Sequence, residues 1–151
     1  MLILPKRIMN QIGRHALQSY PFECCGLLAG HIREHKRVEA CYPLTNTCRG
    51  IKSRYDIDPR EYLETDKLAQ AQGLQIIGIY HSHPDNPARP SDYDLRHAWP
   101  AYSYLIVSVR EGLIADAQSW TLAEDNQDFE SEPMQDEATQ RSGLNWGSSV
   151  M

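Results

Sequence analysis

The sequence predicts an α+β domain, an α/β-type sandwich in which a mixed central sheet is flanked by helices. Three observations carry that expectation. Apolar residues recur every four positions near the start (Ile8, Ile12, Ala16, Tyr20), which is a helical period, whereas Val38, Ala40, Tyr42 and Leu44 alternate as in a half-buried strand. The run Leu74–Tyr80 is almost continuously apolar, as expected of a strand covered on both faces. These helical and extended segments mix irregularly and without an internal repeat, so one sheet carrying helices accounts for them better than a bundle or a barrel. At 151 residues the chain has room for one such domain.

Each element has a local reason. A helix over Lys6–Ser19 opens after Pro5, is weakened by Gly13 and is closed by Pro21. Gly26–Ile32 forms a short apolar strand, and the polar stretch His31–Lys36 turns it into the alternating strand Arg37–Leu44. Thr45–Ser53 reads as a loop. Asp58-Pro59 then supplies an N-cap acid followed by proline at the first helical position, opening a helix that runs to about Gln72 and stops at Gly73. After the apolar strand comes a proline-punctuated loop and a short helix at about Ser91–Trp99. Tyr102–Val109 and Leu113–Leu122 are two further strands around a Glu111-Gly112 turn.

Beyond Leu122 no period persists. Residues 124–137 hold seven acids and no base, so the expected division is a folded body, residues 1–122, and an acidic, partly disordered tail, residues 123–151. The whole chain has a net charge of −5, yet residues 1–121 contain 13 acids and 14 bases and are close to neutral. That balance argues against a nucleic-acid partner. No apolar run approaches the ~18 residues of a membrane span, and the four apolar residues before Pro5 do not make a signal peptide, so the expected location is cytoplasmic. The four cysteines (Cys24, Cys25, Cys41, Cys48) contain no CxxC pair and read as thiols, Cys24 and Cys25 as part of the core.

The chemistry concentrates in His81-Ser82-His83-Pro84-Asp85-Asn86-Pro87-Ala88-Arg89-Pro90-Ser91-Asp92-Tyr93-Asp94. Histidines at i and i+2 of an extended chain point to the same side and can converge on one ion. Ser91 and Asp94 fall in the first turn of a helix, where the carboxylate can complete a His₂Asp set, leaving Zn²⁺ a fourth position for water. A plain capping box explains Ser91-x-x-Asp94 equally well, and an isolated His-x-His is often only a surface or core pair. Two features favour the metal: the histidines end the most hydrophobic strand, and Pro84, Pro87 and Pro90 stiffen the step to Asp94. The patterns HExxH, H-x-E with P-C-x-x-C, G-x-S-x-G and G-x-x-x-x-G-K-[ST] are all absent.

Taken with Glu23, the stretch resembles the JAMM (MPN+) metallopeptidases, whose motif is an upstream glutamate, His-[Ser/Thr]-His, seven residues, then Ser-x-x-Asp. Pro21-Phe22-Glu23-Cys24-Cys25-Gly26-Leu27-Leu28 and Ile79-Tyr80 further resemble the small prokaryotic members, and the likeness spans residues 5–122. It implies an MPN/JAMM-like, cytidine-deaminase-like fold. It implies one zinc held by His81, His83 and Asp94, with Glu23 as general base and proton carrier to the leaving amine. Ser91 would be the hydrogen-bond donor to the oxyanion. The implied substrate is a ubiquitin-like sulfur-carrier protein of the ThiS/MoaD type, cut after its Gly-Gly end to trim the tail or release cysteine. Other readings are isopeptidase activity on ubiquitin-like conjugates, a small-molecule metal hydrolase, a non-catalytic MPN-type scaffold and a zinc-stabilised structural domain. His97 reads as a surface residue or a neighbour of the ligands. The oligomer is expected to be a monomer or homodimer.

Overall fold

The computed structural model describes residues 1–48 and 50–137. Their elements are β1 (Leu2–Ile3), α1 (Lys6–Ser19), β2 (Cys25–Ile32), β3 (Lys36–Leu44), α2 (Pro59–Ala71), β4 (Gln75–Pro84), α3 (Asp92–Arg96), β5 (Ser103–Arg110), β6 (Leu113–Leu122), β7 (Phe129–Glu132) and β8 (Met134–Gln135). The strands form one mixed sheet in the order β7-β6-β5-β4-β2-β3-β1-β8. In it β4 lies antiparallel to β2 and parallel to β5. This is the α+β sandwich expected.

Helix α1 seats Ile8, Met9, Ile12 and Ala16 on one sheet face, against Leu28, Val38, Ile77, Tyr80, Leu105 and Val107. Burying each large apolar side chain there contributes about 1.5–3 kcal/mol. Tyr20, which continues the period of four, instead caps the helix end and is exposed, its hydroxyl donating to Asp85 Oδ2 at 2.6 Å. Gly13 stays helical because it packs under Ile114. Across the sheet, α2 contributes Ala69 and Tyr62 to a second core with Leu27, Leu44, Ile76, Ile79 and Tyr104. Asp58 caps α2 as expected, Oδ1 accepting from the Arg60 N–H at 2.9 Å, with Pro59 in the first turn.

Three expectations need correction. The alternating residues of β3 do not share a face: Val38 packs under α1, whereas Tyr42 and Leu44 join the opposite core. A bulge at Ala29/Gly30 places an extra residue between Val38 and Ala40 and flips the register. Gly30 is required there, since a Cβ would lie 1.8 Å from the Arg37 carbonyl oxygen. Strand β4 does not end at Tyr80 but runs to Pro84, so both histidines lie inside the sheet. Finally, regular structure does not stop at Leu122. Strand β7 pairs with β6, and β8 pairs with β1, with Leu2 N–H and Leu4 N–H donating to the Pro133 and Gln135 carbonyls at 2.8 Å. Met134 is buried in the α1 core. The rest of the expected tail, residues 138–151, lies outside the described residues. No helix among the described residues is long and apolar enough to cross a membrane.

Candidate metal centre and active site

Strand β4 carries the histidines between β2 and β5, with His81 opposite Cys25 and His83 opposite Ser108. Both point to the α2 side, sharing the face of Ile79. Ser82 points the other way. Its buried hydroxyl accepts the Cys24 N–H at 2.8 Å, and its own N–H donates to the Cys24 carbonyl at 3.2 Å. Glu23, at the mouth of β2, is thereby tied to the strand of the histidines. Its Oε1 lies 3.3 Å from His81 Nδ1.

Asp94 arrives from α3. The capping box weighed as a competing explanation is present: Ser91 Oγ accepts the Asp94 N–H at 3.1 Å, and Asp94 Oδ2 accepts the Ser91 N–H at 2.8 Å. It coexists with the site, because the same carboxylate faces both histidines, with Oδ2 3.2 Å from His83 Nε2 and Oδ1 3.7 Å from His81 Nε2. Helix α3 is shorter than expected, ending at Arg96 with His97 as its C-cap. His97 is exposed and stacks on Tyr93 at 4.1 Å.

The structure therefore brings Glu23, His81, His83 and Asp94 together, all buried. Glu23 Oε1 and both ring nitrogens of His81 are buried without a hydrogen-bond partner. Such orphaned atoms are costly unless something else satisfies them. His83 Nδ1 meets the Pro87 carbonyl at 2.9 Å, and since a carbonyl only accepts, Nδ1 carries the proton. Nε2 then faces Asp94 Oδ2 at 3.2 Å, either as a second N–H or as a lone pair that could serve a bound cation. Ligand atoms around a tetrahedral zinc at ~2.0–2.1 Å lie about 3.3 Å apart, close to the separations seen here. Among the described residues, the three whose donor atoms all lie within 4.8 Å of one another are Glu23, His81 and His83, while Asp94 approaches the histidines separately, Oδ1 towards His81 and Oδ2 towards His83. The residues fit a divalent ion.

Charge follows the same geometry. Burial works to raise the Asp94 carboxyl, yet the His81 charge and hydrogen bonds from His83 and the Ser91 N–H bring it down to about 2. Burial works to lower His83, but the bonds to Asp94 and the Pro87 carbonyl raise it above its ordinary value. Burial pushes the Cys24 thiol up to about 11 and Cys25 higher still, so both are buried core thiols, as expected, protonated at neutral pH.

Three contributors had no assigned role in the sequence. Ser82 was legible in principle, since alternation turns it beneath the histidines. Tyr55 stacks on His81 with ring centroids 4.4 Å apart and 23° between planes. Asn46 holds the loop that carries Tyr55, and no periodicity marks either residue. Beside Asp94 opens a cleft of about 500 Å³ with largely apolar walls, including Tyr55, Ile57, Tyr62, Leu63, Trp99 and Tyr102.

The chain is similar to several known proteins. Residues 5–123 match a family model described as prokaryotic homologs of the JAB domain. A desampylase of Haloferax volcanii is 36% identical over 115 residues, covering 76% of this chain and 81% of that protein. A probable TtuB-protein conjugate cleaving protease of Thermus thermophilus is 33% identical, covering 81% and 82%. A CysO-cysteine peptidase of Mycobacterium tuberculosis is 32% identical, covering 74% and 75%. The solution structure of a protein from Desulfitobacterium hafniense superposes with a TM-score of 0.79 at 35% identity, over 91% of this chain and 94% of that one.

Proposed function

The chain belongs to the prokaryotic homologs of the JAB domain, and from that premise we propose that it is a zinc metallopeptidase that cuts after the Gly-Gly end of a ubiquitin-like sulfur-carrier protein. The carrying observation is the convergence of Glu23, His81, His83 and Asp94 on one buried point where three polar atoms have no partner. His81, His83 and Asp94 would hold the ion. Asp94 suits a ligand because its capping box already fixes it. Glu23 Oε1 lies 3.3 Å from His81 Nδ1, beside the proposed ligands, where a base would meet the attacking water. When bound, Zn²⁺ supplies the Lewis acidity that polarises a scissile carbonyl and acidifies water.

The remaining steps belong to the chain's own groups. Glu23 takes a proton from the attacking water and passes it to the leaving amine. Ser91 Oγ uses a lone pair for the Asp94 N–H, so its hydrogen remains to donate to the developing oxyanion. The aromatic cleft beside Asp94, with Tyr55 and Tyr93 among its walls, holds an extended tail. The partner is a carrier of the ThiS/MoaD type.

Linear trimming or cysteine release is the first reading of the bond cut. The relatives named desampylase and conjugate cleaving protease favour a second, an isopeptide bond to a lysine side chain. The test is zinc-loaded protein incubated with two substrates, a carrier extended beyond Gly-Gly and the same carrier joined through a lysine amine, followed by mass spectrometry. Cleavage directly after Gly-Gly, abolished in Glu23→Gln, is the expected result. No cleavage of either substrate, or equal cleavage by Glu23→Gln, overturns the assignment.

A further inference from the structure

In the loop between β3 and α2, one side chain makes four hydrogen bonds. Asn46 Nδ2 donates to the Glu23 carbonyl at 3.0 Å and to the Arg54 carbonyl at 2.9 Å, while its Oδ1 accepts the N–H groups of Cys48 at 2.9 Å and Asp56 at 3.1 Å. Two donors and two acceptor sites are the full capacity of an amide, and all four are used. Aspartate cannot make the donations, and alanine makes none of the four. The loop's neck is also held by Thr47, whose N–H and Oγ1 donate to the Asp56 carbonyl at 3.0 and 3.2 Å, and by Glu61, which accepts from Thr45; none of these contacts reaches Glu23.

What the loop carries is the reason this matters. Arg54 lies over the Tyr93 ring at 4.9 Å, and Tyr55, next to it, stacks on His81. The same amide that holds the Arg54 carbonyl also grips the backbone of Glu23, 23 residues away. We infer that Asn46 is a positioning residue that couples the placement of Glu23 to the stacking of Tyr55 on His81. One side chain thus sets the base on one flank of the site and the covering aromatic on the other. The inference rests on the site proposed above, but its central reading requires neither zinc nor a substrate.

The test compares Asn46→Ala, Asn46→Asp, Tyr55→Leu, Tyr55→Phe and the Asn46→Ala/Tyr55→Leu double variant. In the metal-free protein, the stacked phenol shifts the His81 ring-proton resonances, which NMR reads directly. Coupling predicts that both Asn46 variants move those resonances to the Tyr55→Leu positions, that Tyr55→Phe keeps them at wild-type positions, and that the double variant adds nothing. In zinc-loaded protein, release to a chromogenic chelator should be about tenfold faster in Asn46→Ala and Tyr55→Leu alike, and no faster in the double variant. With a cleavable carrier, kcat should fall about tenfold or more while KM changes far less, as expected when a reacting group is misplaced. If Asn46→Ala does not fold, Asn46→Asp, which keeps both acceptor contacts, carries the comparison. His81 resonances at wild-type positions in a folded Asn46 variant overturn the inference, even if that variant melts earlier. Failure to bind zinc would sink the proposed function, while the ring shifts would still decide the coupling.

Discussion

Replacing Ser82 by alanine removes a hydroxyl that is fully buried and accepts the Cys24 N–H at 2.8 Å. The Cys24 N–H left behind is buried, and an unsatisfied buried donor costs about 1–3 kcal/mol. Since only one small oxygen is deleted, the cavity contribution is minor, and about 2 kcal/mol is the expected destabilisation. For a domain of this size that corresponds to a fall in Tm of roughly 4–8 °C. The same bond registers Glu23 against His81, so activity should fall by roughly 10- to 100-fold for a displacement near 1 Å. His81, His83 and Asp94 are held by other contacts, so zinc content should stay at one per chain. The assay is paired: denaturant unfolding of the variant alongside turnover of a carrier substrate at saturating zinc. A variant that loses stability but keeps full turnover would refute the role of Ser82 in placing Glu23. One that loses neither would refute the hydrogen bond itself.

Other consequences can be checked independently. Gly13→Ala should stabilise the protein by up to about 1 kcal/mol, because the new Cβ meets Ile114 at an ordinary 3.5 Å while the helix gains propensity; urea unfolding reads the change, and destabilisation would show that the α1–β6 contact is tighter than described. Met134→Ala should cost about 2 kcal/mol or more, since Met134 is 6% exposed in the α1 core, and an unchanged unfolding midpoint would mean that β8 is not part of the folded body. In chelated protein, Asp94 is held at about 2 against an ordinary 3.8, so its contribution of about 2 kcal/mol is present above pH 3.8 and lost as the pH falls towards 2. His83 has the opposite sign: its raised value gives stability that is complete below pH 6.5 and lost as the pH rises through the folded value. Unfolding midpoints of wild type and Asp94→Asn should therefore converge towards pH 2, and a constant gap between pH 2 and 5 would contradict the linkage.

How much of this was legible from the sequence depended on range. Helices α1 and α2 declared themselves through local signals, the Asp58-Pro59 start and the Pro21 stop. The motif residues were also legible, because period 2 puts His81 and His83 on one face and a first helical turn presents Asp94. Three things were not. The continuation of β4 through two histidines is enforced by pairing with β2 and β5, whereas a single strand offers only polar side chains there. The split faces of β3 depend on a bulge whose cause, the Arg37 carbonyl against Gly30, lies across the hairpin. Strand β7 carries Glu130 and Glu132 and β8 lies in the same acid-rich stretch, so composition spoke for a solvated tail while backbone pairing with β6 and β1 decided otherwise. The supports of the site, Ser82, Asn46 and Tyr55, act through contacts made 58, 23 and 26 residues away along the chain, beyond any local pattern.

The central claim, one cation held by His81, His83 and Asp94 with Glu23 kept free as the base, is tested most directly by X-ray absorption on zinc-loaded wild type and Glu23→Gln measured side by side. Expected is one zinc per chain in both proteins, with two imidazoles among four light-atom ligands at ~2.0–2.1 Å and closely matching spectra, while only the wild type cleaves a carrier substrate. Loss of zinc from Glu23→Gln, or its retention in His81→Ala with an unchanged spectrum, would contradict it.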